Sequence, residues 1–198
     1  MKRSLKTSNK VVIKIGSSLL TGGSSLLIRE NLENIVGIIN GFIERGDKVI
    51  VVTSGAIACG LSVLRFAKKP KSLSDLQAAA AAGQNILMHS YSLEFQKYGL
   101  KCAQILLTRE DFADHKRYIN AKNTISTLLK HNVIPVINEN DAVSVDEIKF
   151  GDNDTLSASV AAAIEADKIY ILTDIEGLYE SFDPKTKKGK LIKHVAEI

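Results

Sequence analysis

The sequence has 198 residues, 45% hydrophobic and 24% charged, with a formal net charge of +4. That length supports one substantial domain with a real core, and the composition is that of a globular chain rather than a disordered one. No run approaches the roughly 20 apolar residues of a membrane helix, and the basic opening MKRSLKTSNK meets VVIKI with no apolar leader core, so neither a membrane span nor a signal peptide is expected.

KVVIKI (10–15) is a β-rich run ending at Gly16, and RENLENIVGIINGFIERG (29–46) repeats Leu32, Ile35, Val36, Ile39, Phe42 and Ile43 at helical spacing. DKVIVVTSG (47–55) is a buried strand ending in a turn, and AIACGLSVL opens a helix directly after it. SLSDLQAAAAAGQNILMHSYSLEFQKYG (72–99) is helix-rich, with Ser74 the expected N-cap. KCAQILLT (101–108) is a strand, and KRYINAKNTISTLLKHN (116–132) a helix ending at Asn132. VIPVINEND (133–141) is a strand, NDTLSASVAAAIEA (153–166) a helix whose small residues suit close packing, and DKIYILTD (167–174) a strand. This alternation describes an α/β domain around a mostly parallel sheet, with strands that read as continuous apolar runs because both faces are covered.

Cys59 and Cys102 form no CxxC pattern and are expected to be reduced cytosolic thiols. The four histidines are scattered, so histidine ligation of a metal is set aside. The lysines at 185, 187, 188, 190 and 193 surround DPKTKKGK, a Pro/Gly turn, and read as a solvated loop. No aromatic residue interleaves them, which argues against a nucleic-acid surface; the positive balance suits an anionic small molecule equally well.

Open α/β sheets bind ligands at the carboxyl ends of their strands. Those ends read KIGSSLLTGG, TSGAIACG, INENDAV and TDIEGLY, each rich in Gly, Ser, Thr, Asn or Asp. Four such ends in succession point to a composite ligand site. Lys14 sits inside an apolar strand, where an ammonium needs a partner or an anion. It is either a snorkelling lysine on an edge strand or a phosphate contact beside the free amides of Gly16 and Ser17. Neither GxxxxGK[ST] nor GxGxxG is present, so a nucleotide must be held by another glycine-rich arrangement. Ser54 and Gly55 lie where a strand turns into a helix, a place that suits an anion and that capping alone would also explain. In the cluster 138–141, an acidic side chain could receive an ammonium group. Asp152, Asn153 and Asp154 stand before a small-residue helix as a cap, a site, or both.

VVIKIGSSLLTGG, VIVVTSGAIACG, QILLTREDF, VIPVINENDAV, IKFGDNDTLSA and ILTDIEGLY, in that order, resemble the amino acid kinase family, and INENDAV with GDND resembles its glutamate 5-kinase branch. The resemblance runs from about residue 10 to the end. It implies a three-layer αβα sandwich around a mostly parallel sheet, and ATP-dependent phosphorylation of the γ-carboxylate of L-glutamate, the first step of proline biosynthesis. It further implies Mg2+ brought by the ATP phosphates, proline as a feedback inhibitor, a homo-oligomer and a cytoplasmic setting, with no nucleic-acid or membrane partner. Carried over by position, Lys14 contacts the ATP phosphates together with Gly16 and Ser17. Ser54, Asp141 and Asn153 bind glutamate, Thr173 and Asp174 lie on the nucleotide side, and Asp154 organises the catalytic lysines. Asp152 is given a substrate or regulatory contact. The family's TGGMxTK loop and its C-terminal PUA module are absent from the sequence, so residues 1–198 read as an amino acid kinase domain shortened on its ATP side. The alternatives are a fragment that binds glutamate without turnover, and a related kinase acting on another carboxylate.

Overall fold

The computed structural model describes residues 8–24, 26–144, 153–174, 177–183 and 188–195. In chain order the elements are β1 (Lys10–Ile15), α1 (Ser17–Thr21), α2 (Arg29–Glu44), β2 (Lys48–Thr53), α3 (Ala56–Val63), α4 (Leu73–Gln96) and β3 (Lys101–Leu107). They continue with α5 (Glu110–Ala113), α6 (His115–Lys130), β4 (Val133–Glu139), α7 (Asn153–Ile164), β5 (Lys168–Leu172), β6 (Leu178–Asp183) and β7 (Lys188–Ile192). The first five strands form one sheet in the order β3-β4-β2-β1-β5, and every neighbouring pair in it is parallel.

Side chains alternate across a strand, and here the two faces feed two separate cores. Val11, Ile13 and Ile15 of β1 and Val49 and Val51 of β2 pack with Leu32, Val36 and Ile39 of α2 and with Leu87, Tyr91 and Phe95 of α4. Val12, Ile50, Val52 and Ile137 pack on the other face with Ile125 of α6 and with Leu156, Val160 and Ile164 of α7. The result is three layers, with a sheet covered on both sides as its unbroken apolar strands require. Lys14 shares the face of Val12, so it points toward α7. Since β1 lies between β2 and β5, Lys14 is not the snorkelling lysine of an edge strand.

α4 starts two residues earlier than its expected cap implies. Ser72 is the N-cap, its Oγ accepting from the Asp75 N–H at 3.1 Å, and Ser74 lies within the first turn. The Ser72–x–x–Asp75 spacing is that of a capping box. α4 also crosses α3 with almost no gap: a Cβ on Gly83 would sit 1.8 Å from the Ala56 carbonyl oxygen, and one on Gly60 1.8 Å from that of Ala79. Only glycine permits this approach, which fixes α3 against α4. At the far end of α4, buried Glu94 pairs with Lys97 and, at 3.1 Å, with Arg29 of α2. Lys97 and then Arg29 hold its carboxyl below the ordinary range, against the opposing push of burial.

The lysine-rich stretch is not all loop. β6 and β7 form an antiparallel pair, and Lys190 Nζ lies 2.8 Å from Glu180. Two short helices, α1 and α5, also follow the ends of β1 and β3, where no helix was expected. Both cysteines are free thiols, Cys59 buried and Cys102 half-buried. Among the described residues no helix is long and apolar enough to cross a membrane.

Candidate active site

The carboxyl ends of β1, β2, β4 and β5 open onto one cleft of about 1080 Å3, just above the roughly 300–1,000 Å3 usual for a single small ligand. Lys14, Gly16, Ser17, Ser54, Asp141, Asn153, Asp154, Thr173 and Asp174 all line it. Residues that are up to 160 positions apart in the chain thus share one wall because the sheet order sets β1 beside both β2 and β5.

Lys14 is 7% exposed, and its Nζ lies 2.6 Å from Asp154 Oδ1, whose side chain is 53% exposed. The ammonium is therefore desolvated on its stem and directed by a carboxylate at the cleft surface. The Gly16 amide, expected to be free, instead donates to the Leu172 carbonyl at 3.3 Å, tying the end of β1 to β5.

Asn153 and Asp154 are the first two residues of α7, within the helix rather than ahead of it; Asp152 lies outside the described residues together with the rest of 145–152. The two side chains leave the helix in different directions. Asp154 reaches β1, while the buried Asn153 amide nitrogen reaches β2 and β4, lying 2.6 Å from the Thr53 carbonyl, 2.7 Å from Ser54 Oγ and 3.1 Å from Asn138 Oδ1. Ser54 is not a helix cap: that place belongs to Gly55, whose φ of 106° turns the chain from β2 into α3 in a conformation natural only to glycine.

Asp141 follows β4, with Glu139 and Lys69 nearby. Burial pushes its carboxyl up to about 6, Glu139 adds to the push, and Lys69 opposes it. Lys69 is itself lowered by burial and raised by Asp141. Thr173 and Asp174 lie past β5, the Thr173 hydroxyl 3.5 Å from Asp174 Oδ1. Lys68, Lys69 and Arg109 also line the cleft and were not anticipated. They sit on connections, where no hydrophobic period reports which way a side chain faces; the one available signal was the basic run RFAKKPK after α3.

The cleft thus combines an ammonium directed by a carboxylate, further cations of which Lys69 lies by Asp141, buried amides, a hydroxyl and acidic side chains. Such a combination can hold a polyanion against a small amino-bearing acid. The Amino acid kinase family model matches residues 9–197. Glutamate 5-kinase of Clostridium acetobutylicum is 50% identical over 194 residues, which cover 98% of this chain and 73% of that protein. Its counterpart in Clostridium tetani is 49% identical over 198 residues, 100% and 74% of the two chains, and that of Thermoanaerobacter sp. is 48% identical over 189 residues, 95% and 50%. The chain therefore spans between half and three quarters of the length of these relatives. Among solved structures, Giardia carbamate kinase matches with a TM-score of 0.60 at 18% identity, over 91% of this chain and 77% of that one, a likeness of fold. With nearly every residue inside the family match and about half of its positions shared with those relatives, the chain belongs to the amino acid kinase family, on its glutamate 5-kinase branch.

Proposed function

We propose that the chain transfers the γ-phosphoryl group of ATP to the γ-carboxylate of L-glutamate, forming γ-glutamyl phosphate and ADP. The observation that carries this reading is the 2.6 Å pair of Lys14 and Asp154 in the same cleft as the Asn153–Ser54 hydrogen bond. A glutamate carboxyl, with a reference value near 4.3, is ionised at neutral pH. One of its oxygens attacks the γ-phosphorus, the bond from phosphorus to the bridging oxygen breaks, and ADP leaves with that electron pair. No proton has to be removed first, so the work is alignment and the neutralisation of charge.

Lys14, aimed by Asp154, meets the phosphoryl oxygens as charge moves across them. Ser54 and Asn153 hold the amino acid, and Asp141 receives its ammonium. Thr173 and Asp174 face the nucleotide, with Gly16 and Ser17 beside its phosphates. Among the described residues no three His, Cys, Asp or Glu side chains could hold a metal ion together. Exposed Asp154 and Asp174 on the cleft wall nonetheless fit a magnesium ion bound by one or two carboxylates and the nucleotide's oxygens. When bound it would neutralise phosphate charge. Proline as an inhibitor, self-association and a cytoplasmic setting belong to the same reading.

The test is glutamate-dependent ADP formation with the acyl phosphate trapped as a hydroxamate, in the wild-type chain and in Lys14→Ala. Product in the wild type alone is the expected result. Full activity of Lys14→Ala would remove that residue from the chemistry. Calorimetric binding of glutamate with no ADP formed would leave the binding-only alternative standing in place of the kinase.

A further inference from the structure

Beneath the cleft, side-chain amides form a continuous hydrogen-bonded line through β3, α4, β4, α7 and β2; Gln84, Asn138 and Asn153 are buried and Gln104, at its β3 end, is exposed. Gln84 Nε2 lies 3.3 Å from Gln104 Oε1, Asn138 Nδ2 lies 2.9 Å from Gln84 Oε1, and Asn153 Nδ2 lies 3.1 Å from Asn138 Oδ1. Two members of this line are fixed in direction by groups that can act in only one way. The Glu139 backbone N–H can only donate, and it lies 2.9 Å from Asn138 Oδ1, so the Asn138 nitrogen must face Gln84. The Thr53 carbonyl can only accept, so the Asn153 atom 2.6 Å from it is the nitrogen.

A primary amide nitrogen donates two protons and accepts none. Three acceptors, the Thr53 carbonyl, Ser54 Oγ and Asn138 Oδ1, lie within 3.1 Å of that nitrogen and share its two protons; Ser54 Oγ can only accept there, so its own O–H proton turns elsewhere, with the cleft beside it. Gln84 is 8% exposed and is not part of the cleft lining, yet its carbonyl is the acceptor for the Asn138 amide protons. Asn138 is 2% exposed, so losing that acceptor leaves a buried donor without a partner. The Asn138 amide would then turn to find one, and its Oδ1 would withdraw from Asn153.

We propose that Gln84 is a positioning residue for the amino-acid end of the cleft: through Asn138 it anchors the amides that aim Asn153 at Ser54, and Ser54 offers its O–H proton to an acceptor-only group, a carboxylate. The line of amides stands on the geometry alone; its consequence for the amino acid rests on the glutamate reading.

Two measurements test it. The first needs no ligand: proton exchange of the Asn138 and Asn153 side-chain NH2 groups with water, followed by NMR in the wild type, in Gln84→Met, which keeps volume but has no acceptor oxygen, and in Gln84→Glu, which keeps one. Slow exchange at both groups in the wild type is expected, with protection lost in Gln84→Met at Asn153 as well as Asn138 and retained in Gln84→Glu. Fast exchange in the wild type, an Asn153 signal indifferent to Gln84→Met, or equal loss in both variants would overturn the proposal. Should Gln84→Met not fold, the wild-type and Gln84→Glu signals still decide it. The second is kinetic: Gln84→Met raises the glutamate concentration for half-maximal rate about tenfold, leaving that for ATP and the maximal rate within about twofold, and Gln84→Glu restores it. An equal fall in every parameter would reduce Gln84 to a structural role. If the wild type neither binds nor phosphorylates glutamate, the substrate reading falls, while the amide line is judged on exchange alone.

Discussion

Asp141→Asn separates what the site costs the fold from what it does for a ligand. In the folded chain the Asp141 carboxyl rises from its ordinary 3.8 to about 6, chiefly through burial, with Glu139 adding and Lys69 opposing. Between those two values the folded state keeps a proton that the unfolded chain has released. Stability is therefore full below the lower value and falls as pH climbs through the upper one. At about 1.4 kcal/mol per pH unit, the loss by pH 7.5 reaches at most about 3 kcal/mol. Asparagine carries no charge at any pH. Urea denaturation should show the two proteins closely matched near pH 4 and the variant the more stable at pH 7.5, by up to that amount, with an unchanged denaturant slope. Glutamate binding, followed by calorimetry, should move the other way. Wild-type affinity should rise through about pH 6 as the carboxylate becomes available to the ammonium, and the variant should bind at least tenfold more weakly with a flat pH profile. A variant no more stable than the wild type at pH 7.5 would refute the burial argument. A variant that binds glutamate normally would refute the ammonium contact.

Lys14→Met should keep the fold and lower phosphoryl transfer about a thousandfold or more, read by ADP release. Asp154→Asn keeps the shape and removes the charge; because Asp154 is half exposed, stability should change by less than about 1 kcal/mol while turnover falls about a hundredfold. Gly83→Ala would drive a Cβ to 1.8 Å from the Ala56 carbonyl and 2.4 Å from the Gly60 nitrogen, and should cost about 3 kcal/mol in urea denaturation. Gly41→Ala in α2, where a Cβ meets nothing within 4 Å, should instead raise stability by up to about 1 kcal/mol. Ser72→Ala removes the α4 cap and should cost roughly 0.5–2 kcal/mol, visible as an earlier thermal midpoint.

The central strands β1, β2 and β4 were legible because they are buried on both faces; β3 and β5, at the sheet edges and mostly half-buried or exposed, were legible as apolar runs, and all strand ends fall within one or two residues of expectation. α2 was legible through its period, and α3, α4, α6 and α7 through length, composition and end residues. α1 and α5 were not, since five and four residues carry no readable period. The β6–β7 hairpin was hidden by lysine content, although LYESF and KLI on either side of a Pro/Gly turn are a hairpin pattern. Ser72 and Ser74 were both available as caps, each with a capping-box partner three residues on, Asp75 and Gln77, so spacing alone did not choose between them. Two isolated glycines inside helical patterns, Gly60 and Gly83, were a sign of close packing that composition alone does not convey. Gln84 had no signal at all, because its role arises from which amide faces it across the sheet.

The polar strand ends were readable one at a time, but their division of labour follows from the sheet order. β1 lies between β2 and β5, so an element over the ends of β1 and β2 can serve both sides at once. α7 is that element. Neighbouring residues on a helix point about 100° apart, and its first two use that angle: Asn153 turns to Thr53, Ser54 and Asn138, and Asp154 to Lys14. On the proposed reading, the amino-acid side of the cleft and its phosphate side are thereby held by adjacent residues. A shift of the first turn of α7 would misplace both together, whereas Asp154→Asn or Gln84→Met should disturb one and spare the other. That separation, seen as a turnover defect in one variant and a glutamate-affinity defect in the other, is what two half-sites joined at one helix turn require.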